Sequence, residues 1–402
     1  MTKTSFTNKI VLNRSKKDLT EERRDSILRE VRIHRMWLNG KSTHQANLEF
    51  SDMSGLNLDG VDLSSAALTG VNLAKSSLRD AKFMNATLVG ADFEEADLTG
   101  ANLTGADLRG ANFHRAHLTN ALLRGADLCT KVIKITTEEG VTNTQTTPTI
   151  LTEANLERAV LYQAKLAGCD FTGADLAEAN LAGADLSGAV MIGADLHCTQ
   201  LNGANMTGAV IDVAMLDGDS AKTIAAIGGA VLPTYQRLTV DEFVKAIQAH
   251  EQWVKSAGAI GKRLDLDRID IPAVKMTGRN LAGCRLRRCR INTSEWLGVD
   301  LSMADLSYTD MTNICLKNSK LRGATLRRAN LTAANLSSVI FDALPLAHGD
   351  KVWPTNLEGA LLTGVNFSGS SMDGVILRKC DLTGCNFTSV SIRNADFEGA
   401  RR

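Results

Sequence analysis

Serine, histidine, aspartate and cysteine are plentiful in this 402-residue sequence, but their spacing is not typical of a catalytic site. No nucleophile lies in a recognisable elbow, and neither a glycine-rich phosphate loop nor a zinc-type histidine and glutamate motif occurs. Cys284 and Cys289, and likewise Cys380 and Cys385, are five residues apart, which is not the usual zinc spacing. No histidine lies near them in the sequence. We therefore expect no catalytic residues, no cofactor and no metal.

Two histidine and tryptophan pairs are further candidates for chemistry. His34 and Trp37 are three residues apart, as are His250 and Trp253, so each pair lies on one face of a predicted helix. In one interpretation the tryptophan packs over the open end of a neighbouring element and the histidine hydrogen-bonds to a backbone carbonyl. In the other, the pair binds a ligand or a metal. We favour structural caps.

The elements that position these residues follow from a five-residue period. From Leu48 onward an apolar residue returns every five positions, usually with a small residue two places before it. This period fits neither one face of a helix nor one face of a straight strand. In a typical unit, Ala106 and Leu108 point inward, Asp107 faces water, and Gly110 turns the chain. Four such corners close a square coil.

The A-D/N-L-x-x units resemble the pentapeptide-repeat family over four blocks, with central residues at 48–128, 156–211, 266–341 and 357–397. The resemblance implies a right-handed, four-sided parallel β-helix whose central and small residues point inward. The fold class is therefore an all-β solenoid with short capping helices, containing two right-handed four-sided parallel β-helices in tandem. Eight of the eleven phenylalanines occupy the central position: Phe83, Phe93, Phe113, Phe171, Phe341, Phe367, Phe387 and Phe397.

An internal duplication is indicated by two similar helices. The first is predicted from Asp18, with Glu21 completing a capping box, to a C-terminus at Gly40. The second opens with Thr239 and Glu242 and ends near residue 258. Four pairs match at an offset of 216 residues: Ile27 with Phe243, Val31 with Ile247, His34 with His250, and Trp37 with Trp253. We infer a tandem duplication.

The chain is accordingly divided into four segments. The first loop is expected to form a hairpin from residues 131–136 and 144–150. The segments are an N-terminal tail and capping helix (1–40), a first β-helix (41–218, with a loop at 129–153), a helical linker and cap (219–258), and a second β-helix (259–402, with a loop at 342–355).

Composition restricts where such a protein works. No apolar run approaches the length needed to span a membrane, and the first 18 residues are polar and basic, so we expect neither membrane insertion nor export. Five of the eight cysteines replace the small inward residue, which favours reduced thiols and a cytoplasmic location. These five are Cys169, Cys284, Cys289, Cys380 and Cys385.

The formal charge of zero conceals an asymmetry between the two β-helices. Residues 41–218 carry a net charge of −11 and residues 259–402 carry +6. Arg285, Arg287 and Arg288 precede Arg327 and Arg328 by two coils, so all five side chains are expected on one side. They are either solvated corners that keep the protein soluble or a strip that binds a partner.

Two functions fit these features. The first is a non-enzymatic scaffold that presents rigid charged surfaces and two loops to a protein partner of unknown identity. The second comes from the resemblance, because some members of the family are acidic DNA mimics that occupy the DNA site of gyrase; the acidic first β-helix is suited to that role. We do not expect direct nucleic-acid binding.

Two further positions are unusual. Arg279 stands at an inward position, where neighbouring units place Val274 and Cys284, and we interpret it as a local irregularity whose side chain swings outward. The last coil has no covering segment after it in the sequence. Ile392 and Phe397 are therefore expected to stack on the same coil of another molecule and form a homodimer.

Overall fold

The computed structural model describes residues 16–136, 142–212, 218–345 and 352–402. The chain forms two compact units: unit 1 comprises Met1–Ile150 with Ala159–Lys165, and unit 2 comprises Leu151–Arg158 with Leu166–Arg402. This division falls within the first predicted β-helix, whereas the sequence predicts the main boundary in the linker at 219–258. The predicted N-terminal tail and the centres of both predicted loops lie outside the described residues.

Unit 1 contains the first helix and coils that repeat every 20 residues. Helix α1 (Lys16–Leu38) begins before Asp18, so Asp18 is not at its first turn boundary as predicted, and it ends at Gly40, which has a φ of 67°. Parallel bridges then join residues 20 apart, such as Asn47 with Ala67 and Asp107 with Asp127. The five-residue period thus forms coils of four units each.

The corners are held by the polar residue that lies between the two inward ones. In the unit at 106–110, Ala106 and Leu108 are 0% exposed, while the Asp107 carboxylate accepts the backbone N–H of Arg109 at 3.3 Å. Gly110 follows with a φ of 68°. Aspartate or asparagine is therefore selected at this position because its side chain satisfies the turn as well as facing solvent.

The first loop of unit 1 is a hairpin, as the sequence predicts. Strands β1 (Lys131–Thr136) and β2 (Thr142–Thr147) pair antiparallel, with Lys131 opposite Thr147. The second strand begins two residues earlier than expected. The predicted turn at residues 139 and 140 lies outside the described residues.

Unit 2 contains the remaining coils of the first block of repeats and all coils of the second. Helix α2 (Gly218–Ile227) buries Ile224, and the segment after it adds to the preceding coil, because Val231 pairs in parallel with Val210. Helix α3 (Val240–Lys255) begins with the predicted capping box, since the Thr239 side chain accepts the N–H of Glu242 and the Glu242 carboxylate accepts the N–H of Thr239.

Short strands mark the coils that follow helix α3. Strand β3 pairs parallel with β5, β4 with β7, and β6 with β8, while β9 and β10 pair antiparallel in the second loop. Their bounds are β3 (Gln236–Arg237), β4 (Asp265–Asp267), β5 (Ile269–Asp270), β6 (Lys275–Thr277), β7 (Arg285–Arg287), β8 (Glu295–Leu297), β9 (Leu344–Pro345) and β10 (Val352–Trp353).

The inward positions form a continuous apolar core in each unit. In unit 1 the rings of Phe93 and Phe113 stack with centroids 4.7 Å apart. In unit 2 Phe367 lies 6.0 Å from Phe341 and 5.2 Å from Phe387. Aromatic residues at the central position therefore fill the lumen by stacking from coil to coil, as the sequence predicts.

Both loops return to the coil through a buried threonine. In unit 1 the hydroxyl of Thr149 accepts the N–H of Gly110 at 2.9 Å. In unit 2 the hydroxyl of Thr355 accepts the N–H of Gly323 at 2.8 Å and lies within hydrogen-bonding distance of the Leu321 and Phe341 carbonyls. The loops therefore interrupt the coils without leaving these backbone groups unpaired.

Replacing Thr355 by valine should destabilise unit 2 by about 1–3 kcal/mol, because the N–H of Gly323 and the carbonyl of Leu321 lose a buried partner. Thr363→Val is a matched control, since the Thr363 hydroxyl makes no hydrogen bond among the described residues and should be nearly neutral. Thermal unfolding followed by circular dichroism compares the two. Equal melting of both variants would contradict this role for Thr355.

Candidate functional site

The first histidine and tryptophan pair lies in unit 1 as a cap. His34 is 0% exposed, and its Nε2 donates to the carbonyl of Ser64 at 3.0 Å. The half-buried Trp37 ring lies 5.4 Å from the imidazole. This is the arrangement that the sequence predicts for a structural cap, because the histidine satisfies a backbone carbonyl of a coil.

The second pair, in unit 2, uses its histidine differently. His250 is also 0% exposed, but its Nδ1 accepts the N–H of Leu264 at 3.1 Å, so its partner is a backbone donor. Burial lowers the pKa of His250. The Trp253 ring lies 5.5 Å from His250, and Phe243 of the same helix lies 6.2 Å from Trp296 in the lumen. Helix α3 therefore covers the core at the start of the second block.

Arg279 points outward, as the sequence interpretation expects, and makes a specific contact. Its guanidinium donates two hydrogen bonds to the Glu251 carboxylate, at 2.9 and 2.7 Å. The same carboxylate accepts the N–H of Asn280 at 3.2 Å. The interruption of the small-residue pattern therefore ties helix α3 to the coil beneath it through a bidentate ion pair.

One column of corners in unit 2 carries the main charged feature. Arg288, Tyr308 and Arg328 are 20 residues apart and all have positive φ, and Lys379 continues the column after the second loop. These side chains contact coils of residues 151–212, which belong to the same unit. We call this contact the seam.

Tyr308 forms the centre of the seam. It is 6% exposed and lies over Gly173 and Gly193, which are one coil apart. A Cβ on Gly173 would lie 2.1 Å from the Tyr308 hydroxyl, and one on Gly193 would lie 2.4 Å from its ring. Burial raises the pKa of Tyr308 to about 12. The two glycines therefore form a cradle that only the absence of side chains leaves open.

Asp175 lies between two cations beside this cradle. Its side chain is 8% exposed, and its carboxylate is 2.7 Å from the Lys379 ammonium and 3.6 Å from the Arg328 guanidinium. Burial alone would raise the pKa of Asp175, but Arg328 and Lys379 outweigh that effect and hold it below its usual value. Lys379 also lies 3.1 Å from Glu157, and Arg328 lies 3.8 Å from Asp195.

The predicted arginine strip is therefore largely occupied within the chain, which corrects its interpretation as one free docking surface. Arg327 pairs with Glu153 at 3.3 Å and with Glu358 at 3.3 Å, and the Arg328 side chain is only 12% exposed. Arg288 pairs with a neighbouring coil through Asp267 at 2.7 Å, Arg285 lies 3.5 Å from Asp265, and Arg287 lies 3.8 Å from Asp305. Arg285 remains exposed.

A cavity of about 360 Å³ opens beside the seam. Arg328 and Lys379 form part of its wall, together with Asp195, His197 and Asp381. Charges of both signs therefore meet there without an arrangement of nucleophile, base and oxyanion donors that would indicate a reaction. Within the part of the chain that the structure describes, no group of three or more histidine, cysteine or acidic residues could hold a metal ion.

The inward cysteines act as core residues. Cys284 and Cys289 are buried, and the Cys380 thiol donates to the carbonyl of Leu357 at 3.0 Å. Burial raises the pKa of Cys289 and of Cys380 to about 12, which makes both thiols poor nucleophiles. This agrees with the prediction that such cysteines replace alanine. All eight cysteines are free thiols.

Ile392 and Phe397 lie on the terminal coil and are partly buried. The Arg402 guanidinium lies 4.8 Å from the centre of the Phe397 ring. The dimer that the sequence predicts through these residues stays a prediction.

Sequence reasoning missed the seam because Tyr308 reads as an ordinary corner residue. A signal was present: a bulky aromatic residue stands at a position where glycine or a polar residue is usual. Gly173 and Gly193 were also one coil apart in the acidic block. What the sequence did not contain was the information that these two columns meet.

The bridged coils, inward apolar residues and left-handed corners define a β-helix solenoid of five-residue repeats. A family model described as pentapeptide repeats matches residues 26–129, 149–208, 280–342 and 355–401, more than half of the chain. The chain belongs to the pentapeptide-repeat family. No curated protein matches the sequence at a comparable level of significance.

Solved structures of the same family show similarity over varying lengths. HetL, involved in heterocyst differentiation regulation in the cyanobacterium Nostoc sp. strain PCC 7120, is 21% identical, with 91% of this chain and 93% of HetL covered and a TM-score of 0.25. A trypsin-treated form of QnrB1, a plasmid-mediated fluoroquinolone resistance protein, is 17% identical, with 54% and 92% covered and a TM-score of 0.36. The family assignment therefore rests on the repeat match.

Replacing Gly173 by alanine should destabilise unit 2, because the new Cβ collides with Tyr308. Gly188→Ala is the matched control: Gly188 has a φ of 65°, close to the 69° of Gly173, but a Cβ there meets nothing within 4 Å. Both variants carry the backbone cost of positive φ, and Gly173→Ala should lose a further 1–3 kcal/mol or about that. Urea unfolding measures the difference, which Tyr308→Ala in the same chain should remove. An equal loss in both single variants would refute the cradle.

Replacing Asp175 by asparagine should cost about 1–3 kcal/mol at neutral pH, because Arg328 and Lys379 lose their shared carboxylate while Lys379 remains partly screened by water. The folded-state pKa of Asp175 is lowered, so its contribution is present above its unfolded pKa of about 3.9 and is lost as the pH falls through the folded value. The difference between wild type and variant should therefore shrink below about pH 4.

Asp185→Asn controls for the turn in this pH experiment. Asp185 accepts the N–H of Ser187 in the same way as Asp175 accepts that of Ala177, but it forms no ion pair among the described residues. It should unfold like the wild type at every pH. A pH-independent difference between wild type and Asp175→Asn would contradict the ion-pair assignment.

Proposed function

We propose that the protein is a non-enzymatic scaffold that binds a protein partner through rigid outer surfaces of its β-helix. The observation that carries this proposal is the filled lumen: inward side chains such as Phe93, Leu108 and Phe341 are 0% exposed. The interior therefore offers no room for a substrate, and charged side chains occupy the corners instead. A backbone ladder that repeats at every coil holds those corners in fixed positions, which lowers the entropy lost on binding.

The finer architecture belongs to this proposal. We infer two right-handed, four-sided β-helices in tandem, with α1 as the cap of the first and α3 as the cap of the second. The matched His34 and His250 positions and the two threonine-anchored loops support a duplication. The free cysteines support a reducing, cytoplasmic location. Among the described residues, no helix is both long enough and apolar enough to cross a membrane.

The internal ion pairs favour this scaffold function over the topoisomerase alternative. DNA mimicry needs acidic side chains that remain available to a basic DNA-binding surface. Glu153, Glu157 and Asp175 belong to the acidic block, yet each pairs with an arginine or lysine of the same chain. The charge excess of that block therefore partly compensates the second block.

The test is capture of a partner by the tagged full-length protein from nuclease-treated lysate of its native cells, in moderate salt. We expect a protein that, once purified, binds with a defined stoichiometry in calorimetry and binds more weakly as salt screens the charged corners. Heat-unfolded protein is the control bait. If no captured protein binds in purified form, the scaffold function is wrong. Light scattering of the protein alone tests the terminal-coil dimer in the same preparation.

A further inference from the structure

The second loop of unit 2 exposes a cluster of large apolar side chains. Trp353 is 50% exposed, Val352 56% and Met303 44%, whereas inward residues of the adjacent coils, such as Leu301 and Leu321, are 0% exposed. Exposure of a tryptophan, a valine and a methionine together is unfavourable in water unless another surface covers them.

These side chains meet over one glycine. A Cβ on Gly323 would lie 2.8 Å from Met303 Sδ, 3.1 Å from Trp353 Cδ1 and 3.2 Å from Leu344 Cδ1. Gly323 therefore leaves the space into which all three converge. Together with Val352, these three side chains form what we call the Trp353 cluster.

The loop holds the cluster in place from both sides. Strands β9 and β10 pair Trp353 with Leu344, and two residues later the buried Thr355 binds the N–H of Gly323 beneath the cluster. The aromatic ring is thus attached to the coil that it covers. An anchor fixed before binding loses less conformational entropy when a partner docks.

Two cations border the Trp353 cluster. Arg322 precedes Gly323 in the chain, and Lys320 pairs along the coil with Ile340, which is 36% exposed. Neither cation has an ion-pair partner within 4.0 Å among the described residues. The Nε of Arg322 is buried there without a hydrogen-bond partner from the described chain. These charges contrast with Arg327 and Arg328, which are paired in the seam.

We propose that the Trp353 cluster is the docking surface for an acidic, apolar segment of the protein partner. An aromatic or aliphatic side chain of that segment packs on Trp353 and Met303, and a neighbouring carboxylate accepts hydrogen bonds from Arg322. Tryptophan, methionine and arginine are enriched at such contacts, and the unpaired cations select negative charge over positive. The inference rests on the proposed scaffold function, whose partner it describes.

The experiment uses a phage-displayed library of random dodecapeptides selected on immobilised full-length protein. Each enriched peptide is then measured by fluorescence anisotropy against wild type, Trp353→Ala, Arg322→Glu and Val132→Ala. Val132 is 57% exposed on strand β1, so it controls for loss of an exposed apolar side chain at the other loop. Melting of each variant confirms that it is folded, which Trp353→Ala should be because the ring is half exposed.

We expect enriched peptides that combine Phe, Trp or Leu with Asp or Glu, and affinities that fall about tenfold or more with Trp353→Ala and with Arg322→Glu while Val132→Ala leaves them unchanged. Enrichment of basic peptides, equal binding to Trp353→Ala, or no enrichment at all would overturn the proposal. A natural partner captured as described above and bound equally by Trp353→Ala would overturn it too, and would leave the scaffold function intact.

Discussion

Backbone hydrogen bonds between residues 20 apart are the interaction on which this structure depends. Each coil donates to and accepts from its neighbours, as when the N–H of Leu108 binds the carbonyl of Asp127. Because every unit has five residues, this ladder brings equivalent positions of successive coils into register. Inward residues then stack into a continuous core, and corner residues form columns. Any side chain placed at a corner acquires neighbours that are far away in the sequence but of the same type of position.

The columns explain how a protein with no net charge contains two strongly charged parts. In unit 2, cations from the column of Arg328 and Lys379 meet carboxylates such as Asp175, and Tyr308 fits between two glycines. The apolar ring and the absent side chains provide shape complementarity, while the ion pairs fix the register of the contact. Burying Asp175 without those cations would be costly, so the charge asymmetry between the two blocks is in part an internal complementarity.

The surfaces that remain are of a different kind. The seam occupies Arg327 and Arg328, and the lumen is filled, so neither a long arginine strip nor an internal pocket is available to a partner. The second loop instead holds Trp353 outward over Gly323, beside cations without partners. The same device, a threonine that returns a loop to the coil, serves both loops, but the described part of β2 is polar. Two loops with one anchoring scheme thus present different surfaces.

Sequence alone determined the coil, because its signals are local and repeated: the five-residue period, the Asp or Asn that closes each turn, the glycine corners and the Thr239 capping box. It also placed His34 and His250 in caps and Arg279 outside the lumen. It did not determine that His250 accepts a backbone N–H, that Arg279 binds Glu251, or that Arg328 meets Asp175. Those outcomes depend on which columns of separate coils face one another. The path of the chain between the coils decides this, and no five-residue unit contains that information.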